Sequence, residues 1–449
     1  MKPLKIILLF VFLGPVFAYS QIDSTEVKNR ENIKSGWVPD IPIPVVAYDA
    51  DMGFQYGIIG SIHHYGDGTM YPEYKHKFLI EVSRFTKGSG VNQLFYDSKY
   101  LLPKSIRITA DLSFLTEQTL NFYGFNGYET VYNPNLEDES SDDYISRAFY
   151  RYQRKWFRFI LDFQGNLKGD KLRWLAGMSF FNYDIETVDI ERLNKGKPEE
   201  KILPDIPLLY DQYFDWDLIP QNEKHGGQIN FFKLGLVYDT RDNEPNPGKG
   251  IWEEVIIMTA PSFFFNKEFS FTKLAVTHRH YLSLVSKKLT LAYRLSYQGT
   301  IGGKTPFFSQ SYLISSFSTA TKSDGLGGAK TLRGVLRNRS VGDGILFGNM
   351  ELRWKFFRTI VLNQNLYIAL HGFFDAGQTV QQIKINKTFV PEPVRSLFFD
   401  QKYDSMHLSY GAGLRIALNE NFILAIDYGI ATDKRDGLSG LYIGINNLF

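Results

Sequence analysis

Alternation of apolar and polar residues runs through most of this 449-residue chain and constrains its fold more than any other feature. In the segment 289–298, leucines and tyrosines occupy every second position, and threonine, arginine and glutamine are among the residues between them. The segments 157–164 and 408–418 alternate in the same way. Because successive side chains of a β-strand point to opposite faces, this period of two predicts strands that each carry one apolar face.

Sixteen segments are predicted to form strands, and the connections between them are of two kinds. The strands are expected near 41–49, 53–65, 74–86, 90–101, 105–116, 148–167, 172–187, 226–241, 250–262, 268–284, 288–302, 345–357, 361–376, 406–418, 421–432 and 440–449. Short turns are expected around 103–104, 168–170, 286–287 and 420, and long polar loops at 117–147, 188–225, 303–344 and 377–405. A soluble sandwich would also alternate, but it has no reason to separate short turns from long loops. We therefore predict an all-β fold, a transmembrane antiparallel β-barrel of about 16 strands.

The first 40 residues do not carry the strand pattern. Lysines precede an apolar run at 6–17 and a small-x-small site follows it, so residues 1–20 are predicted to be a cleaved signal peptide. The apolar run is shorter than the roughly 20 residues that a transmembrane helix needs. We expect residues 21–40 to form a short periplasmic strap and residues 41–449 to form a barrel in the outer membrane.

Composition excludes several other classes of protein. The chain has no cysteine, which rules out a disulfide scaffold, a thiolate metal site and a lipid anchor on an N-terminal cysteine. The net charge is +2 without a basic cluster, so nucleic acid is not expected as a partner. No Gly-x-Ser-x-Gly elbow, His-Glu-x-x-His or phosphate loop is present, so we expect no enzyme and no cofactor. An outer-membrane hydrolase that assembles its residues from separate strands is the alternative.

The loop at 303–344 contains the most informative motif of the chain. It is far longer than an ordinary hairpin connection, which indicates that it is either disordered or folded back for a purpose. Within it, residues 327–335 read Gly-Gly-Ala-Lys-Thr-Leu-Arg-Gly-Val and place Arg333 beside Gly334. The residues that follow the loop favour the folded-back arrangement.

Two strands that follow this loop offer partners for the arginine. Alternation turns Glu351 toward the lumen on one strand, and it turns Phe373 and Asp375 toward the lumen on the next. The planar guanidinium of arginine can hydrogen bond to a carboxylate through two donors at once. We predict that Arg333 folds into the lumen and pairs with Asp375 or Glu351; the alternative is that it lies in solvent. The nearby Arg337 is not expected to anchor the loop.

Two other clusters could be mistaken for catalytic or metal sites. Asp239, Arg241 and Asp242 form a charged group, but the first two share one strand face and can brace each other, and turn residues follow them. We therefore predict a structural mid-barrel turn. His278 and His280 lie two positions apart and hence on one face, yet no third ligand can be identified, so no metal site is predicted.

Several of these motifs occur in the order found in a known family. The opening hairpin at 42–57, the turn at 238–250 and the Leu-Arg-Gly-Val motif at 332–335 resemble the BamA/TamA family of outer-membrane barrels, the bacterial surface antigen superfamily. The resemblance spans residues 41–449. An aromatic residue usually stands where this chain has Val335. The barrel takes up nearly the whole chain, so the POTRA domains that usually precede it are not expected.

The resemblance implies a role in inserting proteins into the outer membrane or in moving them across it. It also implies a weakly paired lateral seam between the first and last strands. On this reading, Val45 and Val46 of the first strand meet Leu441, Ile443 and Ile445 of the last strand. The alternatives are an accessory subunit of an assembly complex and a passive pore.

The predicted terminal strand ends on an aromatic residue, Phe449. It resembles the C-terminal assembly signal of outer-membrane proteins, although Asn447 replaces the apolar or aromatic residue that is usual two positions before the end. Outer-membrane lipid is the expected environment of the barrel. The expected partners are client outer-membrane proteins and periplasmic or lipoprotein components.

Overall fold

The computed structural model describes most of the chain in segments. They are residues 34–39, 42–49, 52–69, 74–103, 106–244, 246–266, 268–316, 325–361, 364–400, 403–418, 422–445 and 448–449. The predicted signal peptide at 1–20 lies outside the described residues, as does most of the predicted strap at 21–40.

Strands account for most of the described residues. In chain order they are β1 (Trp37–Pro39), β2 (Ile43–Asp49), β3 (Gly53–His64), β4 (His76–Phe85), β5 (Gly90–Ser98), β6 (Arg107–Asn121), β7 (Arg151–Lys168), β8 (Leu172–Glu186), β9 (Gly226–Asp239), β10 (Gly250–Ala260), β11 (Phe271–Val285), β12 (Leu289–Gly303), β13 (Gly344–Val361), β14 (Gln364–Gln381), β15 (His407–Leu418), β16 (Phe422–Ala431) and β17 (Ser439–Ile445). Strands β2 to β17 pair antiparallel with their neighbours in sequence, and β17 pairs with β2. The prediction of a closed 16-stranded β-barrel is confirmed.

The ends of several strands differ from the prediction. The short strand β1 was not expected; it pairs with the last residues of β3 and so continues the edge that β2 forms. The final strand was predicted to run to residue 449 but ends at Ile445, and β14 extends five residues beyond its predicted end at 376. Strand ends depend on hydrogen bonds to the neighbouring strand, which the alternation within one segment does not report.

Side chains alternate between the lumen and the outer surface as the sequence pattern predicts. On β13, Asn349, Glu351 and Arg353 are buried inside, whereas Met350 and Leu352 are exposed outside. Further buried ion pairs line the lumen, among them Arg158–Asp111 at 2.9 Å, Lys233–Asp162 at 2.6 Å and Arg279–Glu254 at 2.6 Å. A polar interior inside an apolar outer surface suits a barrel surrounded by lipid.

The long connections pack together at one end of the barrel. Their aromatic side chains form a buried core with members that include Phe122, Tyr123, Phe125, Tyr150, Tyr210, Tyr213, Phe214 and Phe307. The helices are α1 (Ile190–Asn194), α2 (Leu209–Asp215), α3 (Phe307–Gln310) and α4 (Val394–Phe398), and 3₁₀ turns lie at Gly127–Glu129, Pro134–Leu136, Glu199–Lys201, Gln221–Glu223, Lys387–Phe389 and Lys434–Asp436. In the part of the chain that the structure describes, no helix is long and apolar enough to cross a membrane. We call this packed end the loop cap.

Candidate functional site in the barrel lumen

The loop between β12 and β13 turns back into the barrel. Its second half carries Leu326, Leu332 and Val335, which pack in one buried cluster with Ile345 and Phe347 of β13. Val335, which replaces the usual aromatic residue, is 1% exposed. Apolar packing against β13 therefore holds this part of the loop inside the lumen.

Arg333 lies in this part of the loop and is fully enclosed, with 1% of its surface exposed. Its Nε and Nη2 atoms donate to the two carboxylate oxygens of Asp375 on β14, both at 2.9 Å. Its Nη1 atom donates to Oε1 of Glu351 on β13 at 2.6 Å. The structure thus brings Arg333 together with both acids proposed from the sequence, and the two-donor contact is made with Asp375.

The ring of Phe373 completes the enclosure of the arginine. The guanidinium carbon of Arg333 lies 3.6 Å from the centroid of that ring. A cation is attracted to the face of an aromatic ring, most strongly where water is excluded. Burial alone would lower the pKa of Arg333, but the carboxylates of Asp375 and Glu351 hold that pKa above the ordinary arginine value. The side chain is therefore a permanent positive charge between two strands.

A third acid, Asp427 of β16, joins this network and was not among the residues predicted from the sequence. It lies 3.4 Å from Nη1 of Arg333 and accepts from both terminal nitrogens of Arg415, at 2.6 and 3.0 Å. His371 Nε2 lies 3.2 Å from the same carboxylate. Every second residue of β16 faces the lumen, and Asp427 is one of them. This alternation could have identified Asp427 from the sequence. We call Arg333, Asp375, Glu351 and Asp427 the arginine anchor.

Glycines allow the loop to approach the barrel wall closely. Gly334 has a φ of +96°, a conformation that L side chains rarely adopt. A Cβ atom on Gly334 would lie 2.5 Å from the carbonyl carbon of Gly429 and 2.6 Å from the backbone nitrogen of Ile430. The loop backbone therefore lies directly on β16, and neither glycine can carry a side chain without moving it.

Arg337 was expected to take no part in anchoring the loop, and this prediction is wrong. Its Nη2 atom donates to Oε1 of Glu117 on β6 at 2.7 Å, and the side chain is buried. Glu117 also accepts from Nε of Arg154 on β7 at 2.8 Å. The guanidinium of Arg339 donates to two backbone carbonyls of the loop between β6 and β7, at 3.0 and 3.1 Å. The loop is therefore tied to two sides of the barrel, a fact that depends on packing between distant segments.

The charged group at the mid-barrel turn is braced internally. Asp239 accepts from Nε and Nη2 of Arg241 at 2.9 and 2.8 Å, and from Arg173 of β8 at 2.9 Å. Arg241 also lies 3.9 Å from the ring centroid of Trp252. Asp242 accepts from two backbone N–H groups later in the turn, at 2.9 and 3.1 Å. All three residues thus have structural contacts that close the turn.

The two histidines of β11 lie on the outer surface of the barrel. His278 is 3.0 Å from Glu253 of β10, and His280 is 3.1 Å from the hydroxyl of Tyr293 on β12. Among the described residues, no group of three or more His, Cys, Asp or Glu is arranged to hold a metal ion.

Among the described residues, the first and last barrel strands meet over a very short ladder. Tyr442 pairs with Asp49, and Ile443 pairs with Tyr48. Each of the other barrel junctions pairs between 7 and 17 residues of each strand. From inside the lumen, the backbone N–H of Gly334 donates to the hydroxyl of Tyr442 at 3.2 Å. The arginine loop therefore contacts the strand that borders the short ladder.

The predicted register of this junction is wrong. Val45 and Val46 were expected opposite Leu441, Ile443 and Ile445, but the ladder lies at residues 48 and 49 of β2. Leu441 and Ile445 pair instead with β16 on the other side of β17. Alternation specifies which residues share a face but not how far one strand slides along another.

Phe449 lies beyond the end of β17 and points into the lumen. Its ring centroid is 5.2 Å from the guanidinium carbons of both Arg294 and Arg353, and 6.3 Å from the ring centroid of Tyr281. These contacts lie on β11 to β13, not on the neighbours of β17. They leave the predicted role of Phe449 in assembly untested.

A closed barrel with an apolar exterior, a charged lumen and a long loop anchored inside it defines the class of outer-membrane β-barrels. Comparison with protein-family models makes the assignment specific, since the Omp85 superfamily domain matches residues 77–449. The chain belongs to the Omp85 superfamily and is an integral outer-membrane β-barrel.

Solved structures agree with this fold. BamA from Haemophilus ducreyi lacking POTRA domains 1-3 is 13% identical, with a TM-score of 0.53 over 92% of this chain and 71% of that chain. CdiB from Escherichia coli is 10% identical, with a TM-score of 0.47 over 92% of this chain and 63% of that chain. CdiB from Acinetobacter baumannii is 12% identical, with a TM-score of 0.45 over 90% and 59%. This chain thus spans less than two thirds of either CdiB structure, and only the first likeness supports the fold. No curated protein matches the sequence significantly.

Proposed function

We propose that this barrel takes part in inserting proteins into the outer membrane, or in moving them across it, through a lateral seam between β2 and β17. The observation that carries the proposal is the ladder between those strands, which pairs two residues of each strand in the part of the chain that the structure describes. Membership of the Omp85 superfamily and the likeness to BamA support this general role. The seam is the place where such a barrel can open at the smallest cost in backbone hydrogen bonds.

The edge beside this ladder can receive another strand. Among the described residues, 37–39 of β1 and 43–47 of β2 have no strand partner on the seam side. An open strand edge presents N–H and C=O groups that pair readily with an extended segment of another chain. Prolines at 39, 42 and 44 lack an N–H group, so this edge offers fewer ladder hydrogen bonds to any partner strand, β17 included. A client strand could therefore add to β2 without first breaking a long ladder.

The anchored loop argues against a passive pore. The loop fills the lumen on the side of β13 to β16. Four of its side chains are each at most 1% exposed, namely Leu326, Leu332, Arg333 and Val335. The contact between Gly334 and Tyr442 places this filled region directly against the seam strand. The loop therefore supports β17 from inside while the outer side of the seam faces lipid. Such an arrangement favours lateral opening over steady conduction along the axis.

The decisive experiment closes the seam covalently. The chain has no native cysteine, so a Tyr48→Cys/Ile443→Cys pair can form only the engineered disulfide. A disulfide requires Cα atoms within about 7 Å, which facing residues of a ladder satisfy. The matched control is Ile80→Cys/Leu94→Cys, a facing pair on the outer surface of β4 and β5, away from the seam.

We expect oxidation of the seam pair to abolish client assembly or secretion, reduction to restore it, and the control pair to remain active in both states. Heat-dependent migration in electrophoresis verifies that each variant is a folded barrel. If a fully cross-linked seam leaves client assembly and secretion unchanged, the lateral mechanism is wrong for this protein. An accessory subunit would then be the better interpretation, and co-purification with a larger complex would test it.

A further inference from the structure

A turn on the outer surface carries phenylalanines that the proposed function does not use. Between β10 and β11, residues 261–266 read Pro-Ser-Phe-Phe-Phe-Asn, and no side chain among them is charged. Phe263 is 81% exposed and Phe265 is 75% exposed. Phe265 also has a φ of +60°, a conformation that is rare for a bulky residue and costs energy wherever it occurs. The fold therefore holds two large apolar rings outward at some cost.

The middle phenylalanine shows on which side of the wall the turn lies. The ring centroid of Phe264 is 4.2 Å from that of Phe232 on β9 and 5.5 Å from that of Phe180 on β8. Both of these residues face outward, because their sequence neighbours Phe231 and Phe181 are buried in the lumen. The turn is thus folded down over the outer surface, which is continuous with the surface that contacts lipid.

A side-chain amide fixes the turn in this position. The ladder between β9 and β10 ends at Phe232, so Asn230 lies beyond it. Asn266 replaces the missing partner: its Oδ1 accepts from the backbone N–H of Asn230, and its Nδ2 donates to the backbone carbonyl of Asn230, both at 2.8 Å. The side chain of Asn230 in turn donates to the carbonyl of Phe264 at 3.1 Å. The amide thus acts as a further residue of β10 and clamps the turn to the sheet edge.

We propose that Phe263 and Phe265 form a membrane knob that inserts into the acyl chains of the outer leaflet. The loop cap marks this end of the barrel as the end of the long, outer loops, and the turn lies on the lipid-facing wall below it. The six residues 261–266 carry no charge, Lys267 and Glu268 come only after Asn266, and two exposed rings in such a stretch match hydrocarbon better than water. Strand β10 is the ninth of the 16 strands counted from β2, so the knob lies on the wall opposite the seam. The knob would hold the barrel in the lipid at a wall where the strands are fully paired. The wall at the seam would carry no such anchor.

Site-directed spin labelling tests the knob without interference, because the full chain has no cysteine. Phe263→Cys and Phe265→Cys would each carry a nitroxide in protein reconstituted in phosphatidylcholine vesicles. Collision with oxygen, which concentrates in hydrocarbon, is compared with collision with a water-soluble nickel chelate. Leu234→Cys, an outward position of β9 that is 63% exposed, is the lipid reference. Glu139→Cys, in the loop between β6 and β7 with a side chain 53% exposed, is the water reference.

We expect both knob labels to prefer oxygen as the Leu234 label does. Labels that prefer the nickel chelate, as at Glu139, would overturn the proposal. The measurement is repeated at two protein-to-lipid ratios. A label that loses access to both reagents as the ratio rises lies against a second copy of the protein, and this outcome would also overturn the proposal. Adding Asn266→Ala should shift the Phe265→Cys label toward the nickel chelate; an unchanged preference would show that the amide is not the clamp. Heat-dependent migration in electrophoresis verifies that each labelled preparation is a folded barrel, and none of these outcomes depends on the seam.

Discussion

The wall formed by β13 to β16 and the seam between β17 and β2 adjoin each other but are built in opposite ways. β13 and β14 pair at 17 residue positions, and their inner faces hold Arg333 with two carboxylates. Where the structure describes both strands, β17 and β2 pair at two positions. The loop that carries Arg333 contacts both regions, since Gly334 donates to Tyr442 of β17. The difference is one of strand pairing: a long ladder and buried ion pairs hold the wall together, whereas few of the described residues pair across the seam.

The largest test of this contrast removes the cation of the arginine anchor. Arg333→Ala leaves Asp375 and Glu351 buried without their shared partner, and breaking such a pair can cost about 3–5 kcal/mol, less where water enters the lumen. We expect faster proteolysis of the loop 304–343 in intact cells. In electrophoresis, the folded barrel should unfold at a lower temperature than the wild-type barrel does. Arg147→Ala, which breaks an exposed pair worth about 0–1 kcal/mol, is the control. Equal protection of the wild type and Arg333→Ala would contradict the anchor.

A second test keeps the charges and moves the backbone. Gly334→Ala adds a Cβ atom at a φ of +96° and within 2.6 Å of the β16 backbone, so we expect a cost of at least about 1–3 kcal/mol. The loop should become sensitive to protease although all the charged residues remain. In Gly372→Ala, a Cβ atom meets nothing within 4 Å, so this variant should behave like the wild type. If the two substitutions have the same effect, close backbone approach is not what seats the loop.

A third test separates the loop from the seam. Tyr442→Phe removes the acceptor of the Gly334 N–H, and a single hydrogen bond is worth about 0.5–1.5 kcal/mol. We expect faster hydrogen exchange in peptides covering 325–343 and 439–445, with little change in β13 and β14. Tyr428→Phe, whose hydroxyl contacts Ser439 on the exposed outer surface, is the matched control. Unchanged exchange in both peptides would show that the loop and the seam are not coupled through this bond.

The smallest effect is expected in the loop cap, which should loosen only at acidic pH. Asp404 accepts from the backbone N–H groups of Thr379 and Tyr128, at 2.7 and 3.0 Å, and from His407 at 3.0 Å. Burial alone would raise the pKa of Asp404, but these hydrogen bonds, above all the one from His407, hold it below its ordinary value. A carboxyl group with a lowered folded-state pKa contributes stability above its unfolded-state pKa, and that contribution is lost as the pH falls through the folded-state value.

The cap should therefore stay closed from neutral pH down to about pH 4, the unfolded-state value for aspartate, and loosen below it. Cleavage of the loop 382–406 by pepsin between about pH 4 and pH 2 measures the change. Asp404→Asn cannot titrate, so its cleavage should lack the step that Asp404 contributes. An identical pH profile for the wild type and Asp404→Asn would exclude this carboxyl as the cause.

Much of the anchor could be predicted because strand parity is local. The alternation within each strand was enough to place Glu351, Phe373 and Asp375 in the lumen. The long loop before these strands carries an arginine beside a glycine, and that arginine was the predicted partner of the two acids. Asp427 has the same parity but lies far along the chain, and nothing local connects it with Arg333. Arg337 was misjudged for the same reason, since its partner Glu117 is 220 positions away.

The sequence by itself determined which residues of each strand face lipid and which face the lumen, because that choice depends only on the period of two and on the preference of hydrocarbon for apolar side chains. It also determined that the barrel closes from about sixteen strands. Tertiary structure alone decided the register of the seam, the partners of Arg337, the seat of Phe264 on the outer wall and the clamp that Asn266 makes on Asn230. Each of these depends on how far one segment slides or folds over another that is distant in sequence, and alternation is the same for every such arrangement shifted by two residues.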